Sequence, residues 1–232
     1  GTTSVCVNTA AALACQRRGR VVVVDLVLPM GSASYMTGVH TKATLARLCR
    51  DEAGAITRSR LEDHLVSRDG LGFSLLVGAW GPREALEVSP DHIAPLLQLL
   101  KEVATHTLVD AGRTLSRISL PAITASDRIV VVLSPDSSSV LMTKTWLAFL
   151  QELDVPRERL VPVLSLPVGR MGMSKQEAED HLQTSIFGVI PYESDRFTVA
   201  ANLGIPLVHK EPGCAATQQF MELARHLVSG GR

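Results

Sequence analysis

Three short stretches of this chain hold residues whose types and spacing could do chemistry. The first is Gly1-Thr2-Thr3-Ser4, which runs directly into a helix-forming segment ending near Ala14. Free N–H groups and the helix dipole at such a start favour an anion. In a phosphate loop of the pattern GxxxxGK[ST], glycine gives the tight turn, lysine reaches the outer phosphates and the final hydroxyl meets Mg²⁺. If Gly1 is the last loop glycine, Thr2 stands where that lysine belongs and Thr3 supplies the hydroxyl. The plainer alternative is an ordinary helix start capped by a Thr or Ser side chain. The second stretch is VVVVDL at 21–26, where Asp25 could hold Mg²⁺ through water or cap the following turn. The third is LVD at 108–110, followed by Ala111-Gly112-Arg113. An apolar run closing in aspartate is a Mg²⁺-holding pattern of phosphoryl-transfer sites. In this order, in one chain, the three stretches support one another.

Elements able to position these residues are legible along the whole chain. Apolar, β-branched runs at 21–26, 73–78, 106–110, 128–134, 160–166 and 186–190 read as buried parallel strands, with Pro162 as an interruption in the fifth. Helical patterns lie between them. One at 89–103 opens with Ser89 and Pro90, and one at 137–153 carries an apolar stripe of Val140, Leu141, Trp146, Leu147, Phe149 and Leu150 that reads as core. Ser174 and Glu177 spell a capping box for a helix through Leu182, and Leu203-Gly204 closes another helix. Alternation of this kind implies an α/β domain, a parallel sheet with helices on both faces, spanning 1–232 without an internal linker. A strand feeding the loop at Gly1 is expected upstream of it, since an open slot at the sheet centre would leave two rows of backbone groups unpaired.

Composition excludes several function classes. The 232 residues carry 23 Lys+Arg and 23 Asp+Glu, so no bulk charge points to nucleic acid or anionic lipid. Arg17, Arg18 and Arg20 follow a helix and are expected to favour its C-terminal dipole. Cys6, Cys15, Cys49 and Cys214 lack CxxC spacing, which fits reduced thiols better than zinc or disulfides. No apolar run is long enough to span a bilayer, and the arginines follow the first apolar stretch, the wrong order for a signal peptide. A cytoplasmic protein is the expectation. His40, His64, His92, His106, His181 and His209 show no metal-ligand spacing, and Trp80 in GAWGP is either a contact residue or a loop anchor.

With these motifs in hand, the chain resembles the MinD/ParA superfamily of deviant-Walker P-loop ATPases, and within it the CpaE/TadZ-type proteins of pilus assembly. The resemblance is carried by GTTSVCVNTAAALA (1–14), GRVVVVDLVLPMGSASYMTG (19–38), HLVSRDGLGFSLLVG (64–78), LVDAGRTL (108–115), SDRIVVVLSPD (126–136), VIPYESDRFTVAANLGIPLV (189–208) and a final helix at 214–228. It implies a P-loop NTPase-type sheet whose first strand lies upstream of Gly1. It further implies that ATP or ADP with Mg²⁺ is held by Gly1, Thr2, Thr3, Ser4, Asp25, Asp110, Ser165 and Pro191, with Thr3, Asp25 and Asp110 at the metal. The departures matter equally. Thr2 replaces the loop lysine, Val27 replaces the second aspartate of the family's DxD, implicated in orienting water, and Ser165 takes the place of an adenine-reading asparagine.

Losing a phosphate-clamping cation and a water-orienting carboxylate should each cost orders of magnitude in phosphoryl transfer, whereas backbone N–H groups can still bind. The resemblance therefore implies a nucleotide-binding scaffold with weak or absent hydrolysis. Such a scaffold would form a homodimer, position a pilus or secretion assembly machine, and be recruited to the inner membrane face or a cell pole through partners. The alternatives are an active positioning ATPase of the septum-site or partitioning type, cycling between monomer and ATP-bound dimer, and a scaffold that binds no nucleotide. A receiver-like domain before Gly1, as in many relatives, is compatible with all three. The terminal helix around Phe220, Leu223, Ala224 and Leu227 carries few positive charges, so core packing accounts for it better than membrane binding.

Overall fold

Four consecutive valines cannot alternate between core and solvent, and in the fold they do not. β1 (Val21–Asp25) is buried at every position, as a parallel strand covered on both faces must be. The structure is a computed structural model and describes residues 1–17, 19–50, 56–166 and 172–229. In chain order, α1 (Thr2–Cys15) precedes β1, followed by α2 (Ala33–Thr37), α3 (Leu45–Arg50), α4 (Arg58–His64), β2 (Ser74–Leu76), α5 (Pro82–Ala85), α6 (Ile93–Val103) and β3 (His106–Asp110). The second half runs α7 (Ser119–Ala125), β4 (Ile129–Leu133), α8 (Ser137–Glu152), β5 (Leu160–Ser165), α9 (Lys175–Leu182), β6 (Gly188–Ile190), α10 (Arg196–Asn202), α11 (Leu207–Lys210) and α12 (Ala215–Ser229).

The described strands form two three-stranded parallel sheets, ordered β2-β1-β3 and β4-β5-β6. Side-chain direction reverses at each strand residue, so alternate valines serve different layers. Val21 and Val23 join Val161 and Val163 against α1 and α12, with Phe220 at the centre of that layer. Val22 and Val24 face the opposite way, onto α3 and α6 through Leu45, Leu48, Ile93 and Leu96. Leu133 and Leu164 face α8 and α9. One face of the molecule is thus a continuous helical layer across both sheets, and the other is two separate clusters.

The end signals sit where the sequence places them. Ser174 caps α9 by accepting from Glu177 N–H, and Glu177 returns a bond to the Ser174 amide. Ser89 caps a 3₁₀ turn at Pro90–His92 that leads into α6, with Pro95 early in that helix where it removes no needed donor. Gly204, at φ +62°, follows α10 in the left-handed conformation glycine adopts freely. Pro162 stands within β5 in register with Val131, and its carbonyl accepts from Phe187 N–H, so the proline is tolerated inside a paired strand.

Two expectations need correction. Leu141, placed in the apolar stripe of α8, is 66 % exposed; Val140, Leu147 and Leu150 are buried, and the next position around the helix turns about 100° away from them. Arg17 and Arg20 stand beyond the last turn of α1. No basic residue lies in its last turn, Arg17 has left the helix at φ +51°, and Arg20 lies 3.9 Å from Glu62 instead; Arg18 lies outside the described residues. The expected α/β architecture of parallel strands flanked by helices is present, its described strands forming two sheets with β3 and β4 each paired on one side only among the described residues.

Candidate functional site

The helix that would face an anion is left uncapped. Gly1 is the N-cap of α1, its carbonyl accepts from Val5 N–H at 3.1 Å, and no side chain caps the first turn. Thr2, Thr3 and Ser4 lie inside the helix, past the capping position, so the alternative of an ordinary Thr/Ser cap is not what forms. The first-turn N–H groups and the positive end of the dipole remain available. Asn8 fixes the helix in place: its Nδ2 donates to Ser4 O at 2.8 Å, and its Oδ1 accepts from Val208 N–H at 3.1 Å.

Two carboxylates meet beside that helix. The parallel register of β1 and β3 pairs Asp25 directly with Asp110, each the last residue of its strand. Asp25 is 1 % exposed; its Oδ1 accepts from Val27 N–H at 3.0 Å and its Oδ2 from Ala33 N–H at 3.3 Å. This does tie the following turn, as the capping alternative requires, yet it leaves a buried charge. Burial, aided by the charge of Asp110 and opposed by the two amides, pushes the Asp25 carboxyl up to about 6. Gly31 closes the turn so tightly that an added Cβ would overlap the Asp25 carboxylate.

Asp110 is 2 % exposed, and burial raises its carboxyl as well. The Thr3 hydroxyl and the Gly112 amide favour its charged form. Oδ1 accepts from Gly112 N–H at 3.1 Å, in a turn made by glycine at φ +72°, while the buried Oδ2 has no hydrogen-bond partner. Cys6, one turn along α1, is pushed well above the usual thiol range by burial and by the charges of Asp110 and Asp25. It is a packed thiol, not a nucleophile.

These oxygens fit a hard divalent cation. A hydroxyl, a pair of adjacent buried carboxylates and an orphaned carboxylate oxygen suit Mg²⁺, which prefers oxygen donors and keeps several waters. The fit for a phosphate is the open start of α1, where Arg113 lines the same cavity as Thr2. Arg113 and Gly31 were not singled out by the motif reading; the signals were the glycine turn after Asp110 and the Pro-Met-Gly turn after β1. Val27 lies against the Gly112 turn, its Cγ2 3.3 Å from where a Cβ there would sit.

Ser165 and Pro191 form a separate neighbourhood. Ser165 closes β5 in register with Ile190, the last residue of β6, and Pro191 follows it. Among the described residues, neither shares a hydrogen bond with the Asp25–Asp110 pair. Trp80 is a loop anchor: its indole N–H donates to Thr41 O at 2.7 Å and its ring stacks edge-on with Tyr35, while Glu84 accepts from the Trp80 amide. All four cysteines are free thiols, and the described residues contain no cluster of three or more His, Cys, Asp or Glu able to hold a metal.

No family model matches the chain. An uncharacterised ATP-binding protein of Methanocaldococcus jannaschii is 25 % identical over 144 residues; the match takes in 60 % of this chain and 52 % of that protein, so the chain spans about half the length of this relative. Among solved structures, a ParA family ATPase from Chlorobium tepidum superposes with a TM-score of 0.85 at 18 % identity, covering 97 % of this chain and 93 % of that one. The septum site-determining protein MinD of Pyrococcus horikoshii, solved with Mg-ADP, gives 0.85 at 23 % identity, covering 100 % and 92 %. The chain has the α/β fold of these ATPases, with parallel sheets flanked by helices.

Proposed function

We propose that this domain binds ATP or ADP with Mg²⁺ at the start of α1 and uses the nucleotide to set the state of a scaffold, with hydrolysis weak or absent. The observation that carries the reading is the registered Asp25–Asp110 pair beside an uncapped helix start. In this reading the first-turn N–H groups hold phosphate oxygens. Thr3, Asp110 and, through water, Asp25 hold the metal, which when bound neutralises charge between phosphates and carboxylates. The Mg-ADP of the Pyrococcus MinD structure and the ATP-binding relative support this assignment.

Weak turnover follows from what stands at two positions. Thr2 puts a short neutral side chain where a cation would stabilise the transferring phosphoryl group, and Val27 offers water neither an acceptor nor a base. Beyond the nucleotide, the CpaE/TadZ resemblance supports a homodimer that helps place a pilus or secretion assembly machine through partner contacts at a membrane face or pole. None of the helices among the described residues is long and apolar enough to cross a membrane. An active positioning ATPase is the second reading, favoured by the retention of both carboxylates in register and by the MinD and ParA likeness.

Calorimetric titration of MgATP and MgADP, with phosphate release followed on the same sample, separates the readings. Micromolar binding without release is the expected result. Steady turnover would establish the ATPase instead, and absence of binding would leave a scaffold without nucleotide.

A further inference from the structure

At the opposite end of α1 from the candidate phosphate site, a thiol faces an imidazole. Cys15 is the last residue of α1 and, of the four cysteines, the exposed one. Its Sγ lies 3.8 Å from Nδ1 of His209. His209 belongs to α11, where Leu207 and Val208 are buried in the layer that α1 shares, and Asn8 of α1 accepts from the Val208 amide at 3.1 Å. Those contacts fix how α11 lies against α1, and with it where the ring stands. Nε2 of His209 lies 3.0 Å from Leu71 O. A carbonyl only accepts, so Nε2 carries the hydrogen, and in the neutral ring Nδ1 turns its lone pair toward the thiol. Nucleophile, base and a third group that orients the base are the parts of an assisted nucleophile.

We propose that Cys15, with His209 as its base, is a modification site for low-molecular-weight disulfides, R–S–S–R. The thiol needs that base. Burial, with no charged neighbour contributing, raises it above the usual thiol range, and the carbonyl end of α1 also opposes a negative charge there. Resting thiolate is scarce at neutral pH, so the proton has to leave as the sulfur attacks. In the step, Cys15 Sγ bonds to one sulfur of R–S–S–R as the old S–S bond breaks. The S–H proton passes to Nδ1 of His209, the bonding pair leaves with the second sulfur, and His209 returns the proton to it as R–SH. Cys15 is oxidised and the small disulfide reduced by the same two electrons, and excess R–SH reverses the reaction. The positions of the other cysteines make the mixed disulfide the end product. Cys6 lies about 13 Å back along α1, against Cα separations of about 4.4–6.8 Å in a disulfide. Cys49 packs in the cluster on the opposite side of β1, and Cys214 is buried with its sulfur against Thr217. The 14 residues of α1, about 20 Å, separate Cys15 from the start of the helix, so the inference stands apart from the nucleotide reading.

The experiment treats the reduced chain with glutathione disulfide over a pH series, following the adduct by intact mass and locating it by peptide mapping. His209→Gln keeps an N–H to donate to Leu71 O and removes the base, and Cys15→Ser removes the nucleophile. At about pH 7 the parent should take one adduct, at Cys15, about tenfold or more faster than His209→Gln, and Cys15→Ser should take none at that rate. The gap should close as pH rises toward about 11, where the thiol ionises without help. Equal rates at about pH 7 would overturn the inference, as would an adduct forming first at Cys6, Cys49 or Cys214. A gap that persists unchanged to about pH 11 would show that His209 only holds the thiol in place, and would overturn it too. The parent alone supplies a test that needs no variant. A rate falling about tenfold for each unit of pH from about 9 down to 7 is that of an unassisted thiol and would sink the dyad, whereas a shallower fall is expected.

Discussion

Asp25 holds a negative charge where the surroundings oppose it. Its folded carboxyl lies near 6 against an ordinary 3.8, so the folded state binds the proton more tightly than the unfolded chain. The stability this contributes is complete below about pH 4 and is lost as pH rises through 6; at neutral pH the ionised group weakens the fold by about 3 kcal/mol. Asp25→Asn removes that charge, but its single oxygen can serve only one of the Val27 and Ala33 amides, a loss of about 1 kcal/mol. Urea unfolding should accordingly show the variant about 1–2 kcal/mol more stable at pH 7.5 and no more stable than the parent at pH 4. A loss at pH 7.5 would mean that the amide bonds outweigh the charge. MgADP affinity should fall in the variant, and in the parent it should fall as pH drops below about 6, where a proton competes with the metal. A side chain that weakens the fold at working pH while strengthening binding is kept for binding. Val27 and Thr2 invite the opposite change. Val27→Asp alone adds a third carboxylate to the pair and should destabilise; together with Thr2→Lys it should raise phosphate release by about tenfold or more. No increase would show that further elements of turnover are missing.

Some helix starts are closed by a side chain and others, that of α1 among them, are open. Thr57 caps α4, Asp136 caps α8 and Ser174 caps α9, each accepting from a first-turn amide, while α1 begins at Gly1 with no side-chain cap. Ser174→Ala should lower stability by about 1 kcal/mol and leave MgADP affinity unchanged. Thr3→Ala, which removes no cap, should lower stability little and weaken MgADP binding; equal affinity in calorimetry would take Thr3 out of the site. Such helix ends were readable in advance because capping is local: Ser174 and Glu177 are three residues apart, and Leu203-Gly204 announces its own turn. The strands were readable for the same reason, since runs such as 21–25 and 129–133 have no polar face to alternate with. What could not be read is what depends on pairing. No local signal says that Asp25 registers with Asp110, that Gly31 must lack a side chain to clear that carboxylate, or that Arg113 comes back to the start of α1 beside Thr2. Leu141 was misplaced because a wide stripe shows where a helix is apolar, not how far its neighbour reaches around it.

At the scale of the molecule, cohesion comes from one face. Val21 and Val23 of the first sheet and Val161 and Val163 of the second meet the same layer of α1 and α12, whereas the opposite face is divided between the α6 side and the α8 side. Phe220 is fully buried in the shared layer and packs edge-on against Phe197, with ring centroids 6.3 Å apart. Leu150 is equally buried but belongs to the α8 cluster alone. Truncating either leaves a cavity, at about 3–5 kcal/mol for Phe220→Ala and 2–5 kcal/mol for Leu150→Ala. The costs overlap, but the distribution should not. Phe220→Ala should speed hydrogen exchange in β1 and β5 together, because its cavity lies under both sheets. Leu150→Ala should act on β4 and β5 first and leave β1 protected until global unfolding. If Phe220→Ala loosened β5 alone, the two sheets would be independent units merely sharing a helix, and the layer of α1 and α12 would not be what couples the carboxylate pair at the end of β1 and β3 to the second half of the chain.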